Sequence, residues 1–318
     1  MTTSEYFSQW VEEQKTELQR STYESITIYF HRHIIPWFRA NANDLSQLTA
    51  KNVRDYIHYI KIGGRLDGKA GGLGQASVKK HLSMIRQALD SAVIDGYIIA
   101  NPAKSVRLKR TTQPYSDKTV MLTAEEANRL LTTFRGHRLY ALVMITLYYG
   151  LRRSEVLGLK WSAVDFEHNE LRIDHTIVKN LTIEEKDCTK TAGSRAVFDL
   201  LPQVRDILLS MKQNQNGDDY IFVDQNGKVL RPDTVTRAFQ KHLKKCGFPK
   251  MRFHDLRHST ASVLFDSGMS LEEVKMWLRH TDIETTSNIY LHYGRGRKKI
   301  TSDKVAAIFQ NAAVKSAT

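Results

Sequence analysis

Apolar residues recur at helical spacing through the first third of the chain, and no run there alternates in the way typical of a strand. They form four groups, two of which open with a serine in a capping position. The four predicted helices occupy residues 1–20, Ser21 towards Pro36, a segment from Thr49, and Ser77 to Gly96. Six glycines between Gly63 and Gly74 predict a loop.

The remainder of the chain mixes helical and alternating periodicity. One predicted helix starts at Thr123, a second covers Leu139–Tyr149 and a third follows Arg153. Two more lie within residues 203–250. The last three occupy residues 254–268, 270–278 and Lys304–Val314. Alternation predicts strands at Leu171–Val178 and Ala196–Leu200, joined by a polar turn. The predicted fold class is mainly α with a small antiparallel β-sheet, divided into an N-terminal four-helix domain and a C-terminal α+β domain.

A linker divides the two predicted domains. From Asn101 to Asp117 the apolar periodicity is lost, and basic residues accompany Pro114. We place the linker at residues 109–118, the first domain at 1–108, and the second domain with its tail helix at 119–318.

The net charge of +13 and isoelectric point near 9.6 indicate a polyanionic partner. Residues 1–110 carry a net charge of +6 and the rest +7, so both domains share the charge. The two cysteines form neither a disulfide framework nor a metal-binding spacing. No apolar run has the length of a membrane span and no signal peptide is evident, so a cytoplasmic protein is expected.

Residues 253–293 concentrate side chains suited to an anion. His254 and Arg257 are three residues apart and share one face of a predicted helix. A capping box at Ser270 opens the next helix, His280 follows its end, and Tyr290 lies ten residues further on. The pattern favours an anion site beside a tyrosine hydroxyl, although a basic surface with ordinary core aromatics would also fit.

A second group of basic residues precedes this stretch. Arg152 and Arg153 follow Gly150, at the junction of two predicted buried helices. A buried arginine needs an internal carboxylate or a bound anion as its partner. Lys190 lies in the polar turn between the predicted strands, where a lysine is most often simply solvated.

Together these segments resemble the tyrosine recombinase (phage-type integrase) family. Five segments are similar to its motifs in the same order: Gly150–Glu155 with Leu159–Trp161, Thr189–Arg195, His254–His258, Leu278–His280 and Thr285–Tyr290. The first four helices are similar to the family's core-binding, SAM-like domain. The resemblance implies a metal- and ATP-independent enzyme that cuts and rejoins DNA through a 3′-phosphotyrosine.

The resemblance also implies the catalytic roles. Arg152 and Arg257 would clamp the attacked phosphate with His280 as a further donor, because arginine supplies permanently charged planar donors. Lys190 would be the general acid and His254 a supporting acid/base or phosphate contact. Tyr290 would be the nucleophile. The rival residues are Tyr293 for Tyr290, and Lys179 and Lys186 for Lys190.

Other basic residues are candidates for contacts to DNA, although a solvated helix face also explains them. They are Lys79, Lys80, Arg86, Lys109, Arg110, Lys241 and Lys244.

The expected partners are duplex DNA at specific sites, further copies of the chain in a tetramer whose C-terminal helix packs in trans, and a directionality factor. Neither a cofactor nor a metal is expected, and the expected location is the nucleoid.

Two features depart from the family pattern. Arg279 stands where the family usually has glycine, and from the short chain before Ser21 we expect the family's arm-binding domain to be absent. The leading interpretation is the integrase of a phage or mobile element. The alternatives are a Xer-like dimer-resolution recombinase, a catalytically silent DNA-binding relative, a type IB topoisomerase, and a metal-dependent nuclease using His254 and His258.

Overall fold

The computed structural model describes residues 1–108, 119–179, 183–187, 196–212, 217 and 219–279. The chain folds into two compact units, Met1–Ser116 and Asp117–Thr318. Each unit has its own hydrophobic core. None of the helices in the described ranges is long and apolar enough to cross a membrane.

The described part of the first unit contains helices and no named strand. Its α-helices are α1 (Thr3–Glu17), α2 (Arg20–Tyr29), α3 (Ile35–Asn41), α4 (Ala50–Ile62) and α5 (Gln75–Ile94). A π-helical turn, Phe30–Ile34, joins α2 to α3, and a 3-10 turn covers Pro102–Ser105. Since α2, the π turn and α3 are continuous, the chain forms the four predicted helical segments.

The second predicted helix is longer than its sequence pattern indicated, because Pro36 does not end it. Proline lacks an N–H and its ring clashes with the carbonyl four residues earlier. The π turn widens the backbone just before Pro36, and the Ile35 N–H bonds to the carbonyl of Phe30.

Two predicted helix starts were wrong. Ser21 lies inside α2, which begins at Arg20 after Gln19, and Ser77 lies inside α5, which begins after Gly74. Neither N-cap residue makes a side-chain capping bond. Packing of the buried face fixes these ends, because interior contacts contribute more to a helix than one cap.

Aromatic side chains fill the core of the first unit. Phe7 packs edge-on against Phe30 and Phe38, with ring centroids 5.3 and 5.4 Å apart. Trp10 covers Phe30 at 5.3 Å. These contacts join α1 to the α2–α3 segment.

The second unit surrounds the apolar helix α7. Its helices are α6 (Ala124–Phe134), α7 (Tyr140–Tyr149), α8 (Arg153–Leu157), α9 (Pro202–Met211), α10 (Pro232–Lys245), α11 (Asp255–Asp266) and α12 (Leu271–Leu278). Its strands are β1 (Val164–Asp165), β2 (Glu170–Ile173), β3 (His175–Lys179), β4 (Ile183–Asp187) and β5 (Ala196–Asp199). A 3-10 turn, Trp161–Ala163, precedes β1. The predicted mainly α fold with a small antiparallel sheet is confirmed.

The strands form two antiparallel groups, which corrects the prediction of a single strand from Leu171 to Val178. Strand β2 pairs with β1 and β5, whereas β3 pairs with β4. The chain changes partner at Asp174, between β2 and β3. Lys186 therefore lies on a strand instead of in the predicted turn, opposite Thr176.

Candidate active site

Arg152 lies where the backbone turns from α7 into α8. Gly150 ends α7 in the left-handed region with φ of 60°, which glycine adopts without steric cost. Arg152 is the N-cap of α8, and its side chain is 43% exposed. The arginine predicted at this junction therefore reaches solvent, where a phosphate can approach it.

Glu155 binds Arg152 at two points. Its Oε2 accepts from the Arg152 backbone N–H at 2.8 Å, and its Oε1 accepts from Arg152 Nη1 at 2.8 Å. Glu155 is buried with 7% of its side chain exposed, so this ion pair lies partly away from water. The carboxylate therefore holds the guanidinium in one orientation.

Arg257 is almost completely buried in α11, with 2% exposure. Its Nη1 donates to the Gly150 carbonyl at 2.5 Å, and its Nη2 donates to the Leu278 carbonyl. Those carbonyls belong to the end of α7 and the end of α12. Arg257 thus joins the chain just before Arg152 to the chain just before His280.

Close packing supports the same junction. A Cβ atom on Gly150 would lie 2.1 Å from Leu278 Cδ2, so a side chain here would force the end of the Leu278 side chain to move. Thr260 donates from Oγ1 to the Leu147 carbonyl at 2.7 Å, and Trp277 donates from Nε1 to the Tyr148 carbonyl at 3.2 Å. The site is consequently built on three helices held together by packing and backbone acceptors.

The charges at the site affect one another. Burial, followed by the nearby charge of Arg152, lowers the pKa of Arg257 to about 9, so Arg257 remains charged at neutral pH. Desolvation, followed by His258 and the arginines, lowers the pKa of His254 to about 4. His254 is the N-cap of α11 and retains solvent contact, and its imidazole is neutral at pH 7.

The buried Asp255 has a local partner. It accepts from the Arg252 backbone N–H at 2.7 Å and from Arg252 Nε at 2.9 Å. His254 and His258 have ring centroids 4.9 Å apart. Within the described ranges, no group of three or more His, Cys, Asp or Glu side chains is placed to hold a metal ion.

Arg279 adds a charged contact that sequence reasoning missed. Its Nη2 donates to Glu155 Oε2 at 2.9 Å, across 124 residues of sequence. The arginine in place of the family's usual glycine was visible in the sequence, but the partner of its side chain was not. The site therefore brings Arg152, Arg257 and Arg279 around the carboxylate of Glu155.

The β3–β4 hairpin packs beside α8. A Cβ atom on Gly158 would lie 2.3 Å from the His175 carbonyl, which shows how closely β3 passes the end of this helix. The hairpin leads towards Lys190, three residues beyond the last residue of β4. Lys190, His280 and Tyr290, together with the rival Tyr293, lie outside the described residues, as do the side chains of Lys179 and Lys186.

The residues predicted to contact DNA divide into three groups. Lys79, Lys80, Lys241 and Lys244 are exposed on α5 and α10. Arg86 instead donates to the carbonyls of Ala103, at 3.1 Å, and Val106, at 2.5 Å, so it holds the chain that follows α5. Lys109 and Arg110 lie outside the described residues, as does the predicted helix Lys304–Val314.

Two family models match the chain and together cover most of it. Residues 120–296 match the phage integrase family, and residues 2–109 match the phage integrase SAM-like domain. The chain belongs to the phage integrase family. The prediction of a tyrosine recombinase with an N-terminal SAM-like domain is confirmed.

Curated relatives support the same class. The tyrosine recombinase XerC-like protein of Caldanaerobacter subterraneus subsp. tengcongensis is 27% identical over 70% of this chain and 63% of its own length. The ICEBs1 integrase of Bacillus subtilis is 21% identical over 89% of this chain and 77% of its own. The chain thus spans slightly less than two thirds of the length of the XerC-like protein.

Solved structures share the fold. The Tn1549 transposon integrase in complex with a circular intermediate DNA matches with a TM-score of 0.78 and 19% identity, over 95% of this chain and 99% of that one. A lambda integrase tetramer bound to a Holliday junction matches with a TM-score of 0.63 and 18% identity, over 89% of this chain and 78% of that one.

Proposed function

We propose that the chain is a site-specific DNA recombinase that integrates or excises a mobile element through a 3′-phosphotyrosine intermediate. The observation that supports this most strongly is the bridge made by Arg257 between the Gly150 and Leu278 carbonyls. Arg152 and His280 each follow one of these carbonyls by two residues in the sequence, which supports the proposal that they act with Arg257 on one phosphate.

The proposed chemistry begins with attack of the Tyr290 phenolic oxygen on the scissile phosphorus. A phosphotyrosine bond forms as the Tyr290 hydroxyl gives up its proton to a base, a role open to the neutral imidazole of His254. The bond to the 5′-oxygen breaks, and Lys190 gives that oxygen its proton. Arg152, Arg257 and His280 stabilise the charge that develops on the phosphate. Attack by a 5′-hydroxyl of the partner strand reverses the step and releases Tyr290.

His254 fits a supporting role in this scheme. Its neutral imidazole at pH 7 has a lone pair that can accept a proton, while a bound phosphate would favour its charged form. The group can therefore serve either as an acid/base or as a phosphate contact.

The first test is covalent capture. A duplex is selected from a randomised pool by its binding to the chain, and is then nicked near the scissile phosphate so that the cleaved strand cannot be religated. We expect a covalent adduct with the wild-type chain and the Tyr293→Phe variant, and none with Tyr290→Phe. An adduct with Tyr290→Phe would reassign the nucleophile, and no adduct with the wild type would favour the silent DNA-binding alternative. Loss of activity with a chelator would favour the nuclease.

The general acid has its own test. A substrate with sulfur at the 5′-bridging position releases a thiolate, which leaves without being protonated. Lys190→Ala should cleave the normal duplex slowly and the sulfur-substituted duplex at the wild-type rate. Lys179→Ala and Lys186→Ala are the matched comparisons, and rescue of either one instead would transfer the role to that lysine.

We further propose that the chain acts on specific duplex sites as a tetramer, with its C-terminal helix packing in trans, in the nucleoid and with a directionality factor. The net charge of +13 supports a DNA partner. The Xer-like role is the second candidate, since a relative carries that name. Sequencing the captured cut sites distinguishes them: junctions of an inserted element favour the integrase, and a single chromosomal site favours dimer resolution.

A further inference from the structure

Arg279 occupies a backbone position that disfavours its side chain. It ends α12 in the left-handed region, with φ of 54° and ψ of 47°. There the Cβ atom crowds the following carbonyl, whereas glycine has no such penalty. The segment Leu278–His280 resembles a family motif with glycine at this place. A side chain here therefore suggests an interaction that offsets the strain.

The guanidinium of Arg279 is packed inside the unit. Its side chain is 11% exposed, and the guanidinium carbon lies 5.5 Å from the centre of the Phe198 ring. Nη2 donates to Glu155 Oε2, and Nε is buried without a hydrogen-bond partner in the described part of the chain. Such a desolvated charge is costly unless a carboxylate or a bound anion lies beside it.

Glu155 is shared between two arginines. Arg152 Nη1 binds Oε1 at 2.8 Å, and Arg279 Nη2 binds Oε2 at 2.9 Å. Burial alone would raise the pKa of Glu155, but Arg279, followed by Arg152, outweighs it and holds the pKa below its ordinary value. The carboxylate is therefore ionised at neutral pH and attracts both guanidinium groups.

We propose that Arg279 is a positioning residue for strand cleavage, which neutralises Glu155 so that Arg152 keeps its orientation and its attraction for the scissile phosphate. The proposal rests on the proposed recombinase function. With Arg152, Arg257 and Arg279 positive and Glu155 negative, the cluster carries a net charge of +2. Without Arg279 the net charge falls to +1, and the charge of Glu155 is offset by one guanidinium fewer.

Three substitutions separate charge from backbone strain. Arg279→Met and Arg279→Lys both keep a long side chain in the left-handed region, and differ mainly in charge. Arg279→Gly removes both the charge and the strain. Arg135→Met, at the exposed end of α6, is the matched control for the loss of one arginine.

The readout is the single-turnover rate of adduct formation at saturating DNA. We expect Arg279→Met and Arg279→Gly to slow cleavage about tenfold, and Arg279→Lys and Arg135→Met to stay within about threefold of the wild type. Arg279→Gly should also unfold at a higher temperature than Arg279→Met. Wild-type cleavage by Arg279→Gly, or equal losses for the Met and Lys variants, would overturn the proposal.

A double-mutant cycle tests whether Arg279 acts through Glu155. In a Glu155→Gln background the carboxylate charge is absent, so adding Arg279→Met should change the rate by less than about twofold. If the tenfold loss persists, Arg279 acts on the phosphate directly and the positioning role is wrong.

One measurement does not depend on catalysis. With ¹³C-labelled glutamate and Glu155→Gln to assign the signal, NMR titration should give a higher pKa for Glu155 in Arg279→Met than in the wild type or in Arg279→Lys. An unchanged pKa would overturn the inference. If the wild type forms no adduct while this pKa rises, the recombinase proposal fails and the ion pair stands.

Discussion

Each folding unit buries a cluster of titratable side chains, and the two clusters differ in charge. In the first unit, Tyr56 and His81 are fully buried and share a hydrogen bond of 2.5 Å between the hydroxyl oxygen and Nδ1. In the second, Arg257 and Glu155 are buried and Arg279 is mostly buried, all three with their charges. Both clusters join helices that are distant in sequence, but only one of them keeps ions away from water.

The difference in charge indicates what each cluster is suited to do. Burial lowers the pKa of His81 to about 4 and raises that of Tyr56, so both are neutral at pH 7 and the pair costs little desolvation. The second cluster retains an excess of positive charge in a partly dry environment, which is costly for a protein that binds no anion. The neutral pair serves packing, whereas the charged cluster suits a phosphate.

The largest expected effect concerns Arg257. Arg257→Ala should slow strand cleavage about 10³-fold, equivalent to about 4 kcal/mol of activation free energy, because it removes a positioned donor and leaves two carbonyls without it. Single-turnover cleavage at saturating DNA measures this. Arg257→Lys should be impaired as well, since one ammonium lacks the planar fork, and Arg135→Ala is the control. Cleavage by Arg257→Ala within tenfold of the wild type would contradict the proposed role.

The next largest expected effect is the pH dependence of the stability of the first unit. Because the folded pKa of His81 lies below its ordinary value, its contribution to stability is complete above pH 6.5 and is lost as the pH falls towards about 4. The loss is on the order of 3 kcal/mol. Urea unfolding of the wild type and of Tyr56→Phe/His81→Leu at pH 7 and 4.5 measures it. His33 also has a lowered pKa, so some dependence persists in the variant, but equal dependence in both proteins would refute the assignment.

The smallest expected effect distinguishes the hydrogen bond between Tyr56 and His81 from the contribution of either side chain alone. Tyr56→Phe should lower the free energy of unfolding by about 1–2 kcal/mol, because it leaves Nδ1 of His81 buried without its partner. The double variant Tyr56→Phe/His81→Leu should recover most of that loss, since both polar groups are then gone. Cleavage at saturating DNA should not change in either variant. A double variant less stable than Tyr56→Phe would mean that His81 contributes more than this bond.

Local patterns predicted most of the helices. Capping boxes open three helices in the structure, at Thr49, Thr123 and Ser270. In each box the hydrogen bonds join the N-cap residue to the residue three positions later. Gly150 ends α7 as its position indicated. These features depend on neighbours within one helical turn, so the sequence displays them directly.

Features that depend on distant partners were predicted poorly. The alternating pattern continues through Asp174, although β2 and β3 belong to different sheets, because alternation reports the faces of a strand and not its neighbours. The continuation of a helix past Pro36 likewise required the π turn. Starts at Ser21 and Ser77 were wrong because buried packing outweighed the cap.

The sequence by itself determined the family, the order of its motifs and the residue types that can handle a phosphate. Only the tertiary structure decided which of those residues are buried, and what holds them. The carbonyl that accepts from Arg257 lies 107 residues away at Gly150, and the carboxylate that binds Arg279 lies 124 residues away at Glu155. Periodicity and capping act over one or two turns, whereas the desolvation and pairing of charge depend on which helices meet.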